Sequence, residues 1–438
     1  LTFADCFAQQ NVYRNQSPNY CFDFGKGAVR EGYIPVTDET MYTDRSGYGI
    51  DFGTTVKSNT TIGKDSLTDG FLSSDQPFYF SVRIPEGNYN VRIYLGDDYG
   101  VSDIAIRAEN RRMMVNQLQT DFGAHQVVDF TINVRDSLIS TSKQVVGLKP
   151  REHKYLSWDN KLTLEFNGKM PKVNAIEIFP SDPRTVSVFL AGNSTVVDGP
   201  HEPFTAWGQM FPFFFQAGKV AIVNLAESGE TLSSFIGERR LKKMLVMMKP
   251  GDYAFVEFGH NDQKQKGNNI GAFTSYTKDL AYFVDAVKQK GGIPVLVTSV
   301  QRRNFDRQGK IVQTLGDYPE AVRRVAKRLN TYLIDLNAMS QTLFEAMGET
   351  ESLKAFAHFP AHQYPGRDTP IADNTHFRPF GAFEIAKLIL KGVCDTDMPL
   401  ASLIKAGVPI FDPQTPDTYE SFYWPESPGK DATKPEGN

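Results

Sequence analysis

Val186-Ser-Val-Phe-Leu-Ala-Gly192-Asn-Ser-Thr195 is a nearly continuous apolar run that breaks into glycine, asparagine and serine. A run of that kind suits a strand covered on both faces, as in a parallel sheet, because an antiparallel sheet with one wet face would alternate apolar and polar residues. Similar runs follow at Val220-Ala-Ile-Val-Asn224, Tyr253-Ala-Phe-Val-Glu-Phe-Gly259, Ile293-Pro-Val-Leu-Val-Thr298 and Tyr332-Leu-Ile-Asp-Leu336. Between them lie segments of helical length, 235–248, 274–290, 318–329 and 338–347, and another, 379–392, follows the last strand. Strand and helix in strict alternation predict a parallel sheet with helices on both faces, a three-layer α/β/α domain. In such a sheet the site lies beyond the carboxyl ends of the strands.

Upstream of Ser181 the pattern changes. Phe78-Tyr-Phe-Ser-Val-Arg-Ile84, Tyr89-Asn-Val-Arg-Ile-Tyr-Leu95, Val127-Val-Asp-Phe-Thr-Ile-Asn-Val134 and Lys161-Leu-Thr-Leu-Glu-Phe166 alternate with period two, the signature of half-buried strands. Pro85-Glu-Gly-Asn88 reads as a turn joining two of them into a hairpin. Many short strands without a helix predict an all-β sandwich or jelly roll. The expected division is 1–182 for this β-sandwich, 183–398 for the α/β domain and 399–438 for an extension. Tyr419, Phe422, Tyr423 and Trp424 suggest that part of the extension packs on the body; its end, rich in Pro, Gly, Lys and Asp, reads as mobile.

The 438 residues carry 47 basic and 51 acidic side chains, a net charge of −4, with 40% hydrophobic residues. That balance offers no basic face for nucleic acid, and no apolar run reaches the roughly 20 residues that span a bilayer. The opening Leu1-Thr-Phe-Ala-Asp-Cys6 has neither the basic nor the apolar region of a signal peptide, so the expectation is a secreted or periplasmic protein in processed form. Cys6 and Cys21 could close a small loop or remain reduced in apolar packing, with Cys394 left over. Oligomeric state has no sequence signature here.

Four polar segments fall at strand ends: Gly192-Asn193-Ser194-Thr195, Asn224-Leu-Ala-Glu-Ser-Gly229, Gly259-His260-Asn261-Asp262, and Asp373-Asn374-Thr375-His376 ahead of the last helix. Each alone has a bland reading as a turn or a helix cap. Together they supply a hydroxyl, a base, an acid to orient it and neutral donors, the set that acyl transfer needs. In this order the blocks resemble those of the SGNH/GDSL hydrolases. Asn224-Leu-Ala-Glu-Ser-Gly-Glu-Thr231, Gly251-Asp-Tyr-Ala-Phe-Val-Glu-Phe-Gly-His-Asn-Asp262 and Asp373-Asn-Thr-His-Phe377 resemble rhamnogalacturonan acetylesterases. The first half resembles the galactose-binding-type sandwich found ahead of some such esterases.

The resemblance implies a flavodoxin-like fold for the α/β domain. It also implies a serine esterase removing O-acetyl groups from pectic polysaccharide, with an acetylated poly- or oligosaccharide as partner. Ser194 would attack, His376 take its proton, and Asp373 hold the imidazole. The Ser194 and Gly229 N–H groups and the Asn261 amide would form the oxyanion hole. Two positions depart from the family pattern: Asn193 replaces its usual Asp, and Glu230 stands where a basic residue is frequent. Trp207 reads as core packing or cleft wall. His260, His358 and His362 invite a metal reading with His376, but they are scattered over loops without a His-Glu-x-x-His helix. No metal and no cofactor is expected, and these three are retained as candidate cleft residues. The competing readings are a broader GDSL esterase or lipase, with Phe204 and Phe211–Phe215 as an apolar pocket, and a glycan-binding protein on an esterase fold. A Gly-x-Ser-x-Gly elbow is absent, which disfavours the α/β-hydrolase plan.

Overall fold

The computed structural model describes residues 19–61, 65–139 and 143–436. Cys6, and with it the Cys6–Cys21 pairing, lies outside them. Through Pro180 the chain forms a seven-stranded and a five-stranded sheet. Pairing is antiparallel throughout except between Tyr20–Phe24 and Ile34–Val36. Alternate residues of the two sheets meet in one core: Val91, Ile93, Leu95, Ile176 and Ile178 from the first, and Phe78, Phe80, Val82, Leu162, Leu164 and Phe166 from the second. Burying each such side chain is worth about 1.5–3 kcal/mol, so period-two patterning holds the sandwich together.

The expected hairpin around Pro85-Glu-Gly-Asn88 does not form. Phe78–Arg83 pairs with Tyr48–Asp51 and Lys161–Lys169, whereas Gly87–Gly96 pairs with His125–Val134 and Lys172–Pro180 in the other sheet. Alternation fixes which face of a strand is buried but leaves its partner open. Here the short link lets the chain arch across the core, and both apolar faces still point inward.

The second half carries a five-stranded parallel sheet in the order Val220–Asn224, Val186–Gly192, Tyr253–Glu257, Ile293–Val297, Tyr332–Ile334. Val188 and Leu190 pack on one side with Trp207, Phe211, Phe344, Ile385 and Ile389. Phe189 and Ala191 pack on the other with Phe235, Leu241, Phe283 and Val322. Apolar side chains in both directions explain the unbroken runs in the sequence and give the three layers.

Helices Tyr318–Leu329 and Pro379–Asp395 lie where the pattern put them, and 338–347 lengthens to Leu336–Glu351. Segment 235–248 is instead two helices, Leu232–Gly237 and Arg240–Met247, broken at Arg239, whose φ is 65°. The break delivers Arg240, fully buried, onto the equally buried Glu152 of the first half. In segment 274–290 the regular helix spans Thr277–Gln289.

Asp373 and His376 sit on a strand, Ile371–Phe377, paired antiparallel with Phe356–Phe359 outside the main sheet. The end of the chain, expected to be mobile, packs on both halves through residue 436. Arg107 stacks 3.7 Å from the Trp424 ring centroid and donates to Ser427 Oγ. Trp424 Nε1 and the Ser427 N–H both donate to the buried Glu202, and Arg367 Nε donates to the Ala432 carbonyl at 2.9 Å. Tyr419, Phe422 and Trp424 pack against the core of the second half as their composition suggests, and specific polar contacts, on which composition is silent, add to the hold on this strap. No helix among the described residues is long and apolar enough to cross a membrane.

Candidate active site

Strand Val186–Gly192 ends under a tight turn. A Cβ on Gly192 would stand 2.4 Å from Val196 Cγ2, so only glycine lets the chain fold back here. Asn193, fully buried, closes the turn: its Oδ1 accepts from the Thr195 N–H at 3.1 Å and Thr195 Oγ1 at 3.0 Å. A short side chain accepting from the backbone two residues on is what an asparagine does in such a turn. Asn193 therefore keeps both of the acceptor bonds that close the turn. Its Nδ2 has no partner among the described residues.

The turn presents Ser194, whose Oγ lies 2.9 Å from His376 Nε2. His376 Nδ1 lies 2.8 Å from Asp373 Oδ2, and Asp373 Oδ1 accepts from the Thr375 and His376 N–H groups at 2.8 and 3.0 Å. Burial alone would raise the Asp373 carboxyl, but its bond to His376, the charge there and the two N–H groups hold it down at about 2. His376 and Asp373 are each 2% exposed and Ser194 8%. The edge of the Phe204 ring meets the imidazole, centroids 5.9 Å apart.

Gly229 takes φ 82°, a left-handed conformation suited to glycine, in the loop after Val220–Asn224. Asn261 Nδ2 donates to the Glu230 carbonyl at 3.0 Å, tying its own turn to that loop. Asp262 shapes the Asn261 turn by accepting from the Gly259 and Leu232 N–H groups. Neither the Ser194 nor the Gly229 N–H has a hydrogen-bond acceptor among the described residues.

Beneath the serine turn, Glu257 at the end of Tyr253–Glu257 is fully buried. It accepts from Trp207 Nε1 at 2.6 Å and from Thr195 Oγ1 and the Val300 N–H, both at 3.1 Å. Burial pushes its carboxyl up to about 7, against the pull of those donors. Glu257→Gln would turn an NH2 group onto either Trp207 or the Thr195 and Val300 donors. A buried donor left unanswered costs about 1–3 kcal/mol. A loss of that size is expected in urea unfolding near neutral pH; an unchanged midpoint would show that Glu257 does not tie the turn to the sheet.

The β-rich half braces the same turn. Arg112, fully buried, meets Asp198 at 2.6 Å, and Arg111 meets Glu202 at 2.8 Å. Asp198 is held from the other side by Asn224 Nδ2 at 2.7 Å. Glu227, 1% exposed, is paired with Arg151 of the first half at 2.8 Å. Burial and the nearby Glu152 push the Glu227 carboxyl up to about 7 despite that arginine.

A cleft of about 180 Å³ opens on Ser194 and His376. Its walls combine Val197, His201, Phe204 and Glu227 with Arg151 and Tyr155 from the first half, and with Asp431, Lys434 and Glu436 from the strap. Of the expected cleft residues, none is in these walls. Trp207 is buried in the core and bonded to Glu257. His260 is buried, and burial holds its pKa well below the ordinary histidine value, so it is neutral. His358 Nε2 meets Asn374 Oδ1 at 2.8 Å, and His362 is a largely exposed neighbour of Asp368. Among the described residues no group of three or more His, Cys, Asp or Glu side chains is placed to hold a metal ion. Arg151, Tyr155, Glu227 and the strap were not anticipated: an arginine or a glutamate whose partner lies far along the chain leaves no periodic trace.

Residues 190–381 match the model of the GDSL-like lipase/acylhydrolase family. Residues 20–145 match that of the beta-agarase/YXIM esterase-like, galactose-binding domain-like family. Rhamnogalacturonan acetylesterase RhgT of Bacillus subtilis (strain 168) is 43% identical over 219 residues, 50% of this chain and 93% of the relative. The uncharacterized esterase YxiM of the same organism is 27% identical over 360 residues, 80% of this chain and 87% of its own. A crystal structure of YxiM from Bacillus subtilis aligns with 87% of this chain and 99% of that one at 24% identity, with a TM-score of 0.45. The chain thus belongs to the GDSL-like lipase/acylhydrolase family, with a galactose-binding-like domain ahead of its hydrolase domain.

Proposed function

We propose that this protein is a carbohydrate esterase that removes O-acetyl groups from acetylated pectic glycan of the rhamnogalacturonan type. The observation that carries the reading is the Ser194–His376–Asp373 hydrogen-bond chain at a small cleft whose walls bring charged side chains, Arg151, Glu227, Lys434 and Glu436, beside apolar ones. His376 takes the Ser194 proton as Oγ attacks the acetyl carbonyl, and Asp373 stabilises the imidazolium that forms. The oxyanion is met by the uncommitted Ser194 and Gly229 N–H groups and by Asn261. Imidazolium then protonates the sugar oxygen as its bond to the acetyl carbon breaks, so that it leaves as a free hydroxyl, and water, activated by the same histidine, releases acetate from the acyl-enzyme.

The cleft's character favours a sugar ester over a lipid. Phe211, Phe214 and Phe215 pack in the core against the sheet, which leaves a cleft of about 180 Å³ with Val197, Pro200, Phe204 and Pro435 as its apolar lining. That is room for a short acyl group on a polar ring. RhgT's likeness over nearly its whole length supports the pectic assignment, and a polymeric substrate of that kind favours a site of action outside the cytoplasm. Incubation with O-acetylated, methyl-esterified pectin fragments is expected to release acetate. Methanol without acetate would overturn the assignment.

A further inference from the structure

The cleft mouth holds an ion cluster that this chemistry does not use. Lys149 and Arg151 stand at the start of the Pro150–Lys154 turn in the β-rich half. From behind, each is held by the hydrolase domain. Arg151 meets Glu227 at 2.8 Å and donates to the Ser228 carbonyl at 2.8 Å; Lys149 meets Glu230 at 2.6 Å and donates to the same carbonyl. Glu227 and Glu230 are buried, so both cations are anchored from behind; Arg151 lines the cleft and Lys149 stands beside it. From the front they meet a third carboxylate. Glu436 Oε1 lies 2.6 Å from Arg151 Nη1, and Glu436 Oε2 lies 3.9 Å from Lys149 Nζ. The Glu436 side chain is 61% exposed and lies on the strap that crosses the cleft, two residues beyond Lys434, which stands 3.8 Å from Asp373.

The buried acids are fixed and the exposed one is exchangeable. An exposed ion pair is weak, whereas a guanidinium already oriented by its own wall is prepared to receive a carboxylate. We propose that Arg151 and Lys149 form a carboxylate-binding subsite at the cleft mouth, for the acid group of a uronic sugar beside the ester, and that Glu436 is its internal occupant, displaced when such a ligand binds. The inference rests on the Ser194 cleft being the esterase site. It gives the β-rich half a direct part in substrate selection and makes the strap a competitor of the substrate.

The test is calorimetric titration of galacturonate and of galactose into the full chain carrying Ser194→Ala, with and without Glu436→Gln. Galacturonate is expected to bind about three- to fivefold tighter once Glu436 loses its charge, an effect of the size of one exposed ion pair. Galactose should show no such gain. Adding Lys149→Gln, which leaves the Arg151–Glu227 pair intact, should weaken galacturonate again. Equal galacturonate binding with and without Glu436→Gln, or an equal gain for galactose, would overturn the subsite. Because galacturonate and galactose carry no ester, the titration reads binding alone, and its failure is separate from a failure of the wild-type chain to release acetate, which would count against the esterase reading alone.

Discussion

Ser194→Ala is expected to lower acetyl release by on the order of 10⁴- to 10⁶-fold, the range seen when a serine nucleophile is removed from a triad. The Ser194 hydroxyl is the one brought to an imidazole nitrogen, 2.9 Å from His376 Nε2. Its neighbours have other commitments. Thr195 Oγ1 bonds to Asn193 and Glu257 below the turn, and Ser228, also in the cleft wall, serves through its carbonyl. With Oγ gone, no acyl-enzyme can form. The uncommitted Ser194 and Gly229 N–H groups remain, so a small residual rate over water is expected. The turn itself does not depend on the hydroxyl, since Gly192, Asn193 and Glu257 hold it. The melting temperature should therefore stay within a few degrees of wild type, one hydrogen bond being worth about 1 kcal/mol. The same serine should take a fluorophosphonate label in the wild-type chain, located by mass spectrometry. Wild-type acetate release by the alanine variant would remove Ser194 from the mechanism.

What the sequence disclosed about this site follows from the geometry of a parallel sheet. All carboxyl ends lie on one edge, so Ser194, Gly229 and Asn261 could be read as neighbours once their strands were recognised, and the doubly buried runs made those strands legible. Asp373 and His376 were visible as a contiguous block, although they proved to lie on a separate two-stranded ribbon. The β-sandwich was legible as a class, because alternation reports burial, and illegible in its pairing, as the chain's crossing between sheets after Arg83 shows. Arg112 with Asp198, Arg111 with Glu202, and Arg151 with Glu227 and Glu436 join residues far apart in the chain. A single charge carries no period and no mark of its partner. In the extension Tyr419, Phe422 and Trp424 pack on the body as their composition suggested, while the last residues, expected to be mobile, are met by Arg367 at the Ala432 carbonyl and by Arg151 at Glu436, contacts that composition cannot count. Trp207, read as core packing or cleft wall, took the first of these; His260 looked like a cleft residue because it adjoins Asn261, yet the side chains next to a strand end alternate between the cleft and the core.

Asp373→Asn is expected to lower kcat about 10⁴-fold with the fold retained, for a reason visible in its bonds. Asp373 Oδ1 accepts two backbone N–H groups, from Thr375 and His376, and Oδ2 faces His376 Nδ1. An asparagine satisfies the backbone only by placing its oxygen at the Oδ1 position, which turns its NH2 onto Nδ1. Nδ1 must then accept, the ring proton moves to Nε2, and His376 presents a donor to Ser194 where a base is needed. The negative charge that would stabilise the imidazolium is lost as well. A second readout comes from stability. The Asp373 carboxyl titrates at about 2 in the folded chain against 3.8 ordinarily. A depressed folded value means stability that is present in full above about 4 and lost as the pH falls through 2. The stability gap between wild type and Asp373→Asn should therefore be widest above about pH 4 and narrow as the pH is lowered towards 2. A gap that grows on acidification, or an asparagine variant with wild-type kcat, would show that the carboxylate does not hold the imidazole in its working tautomer.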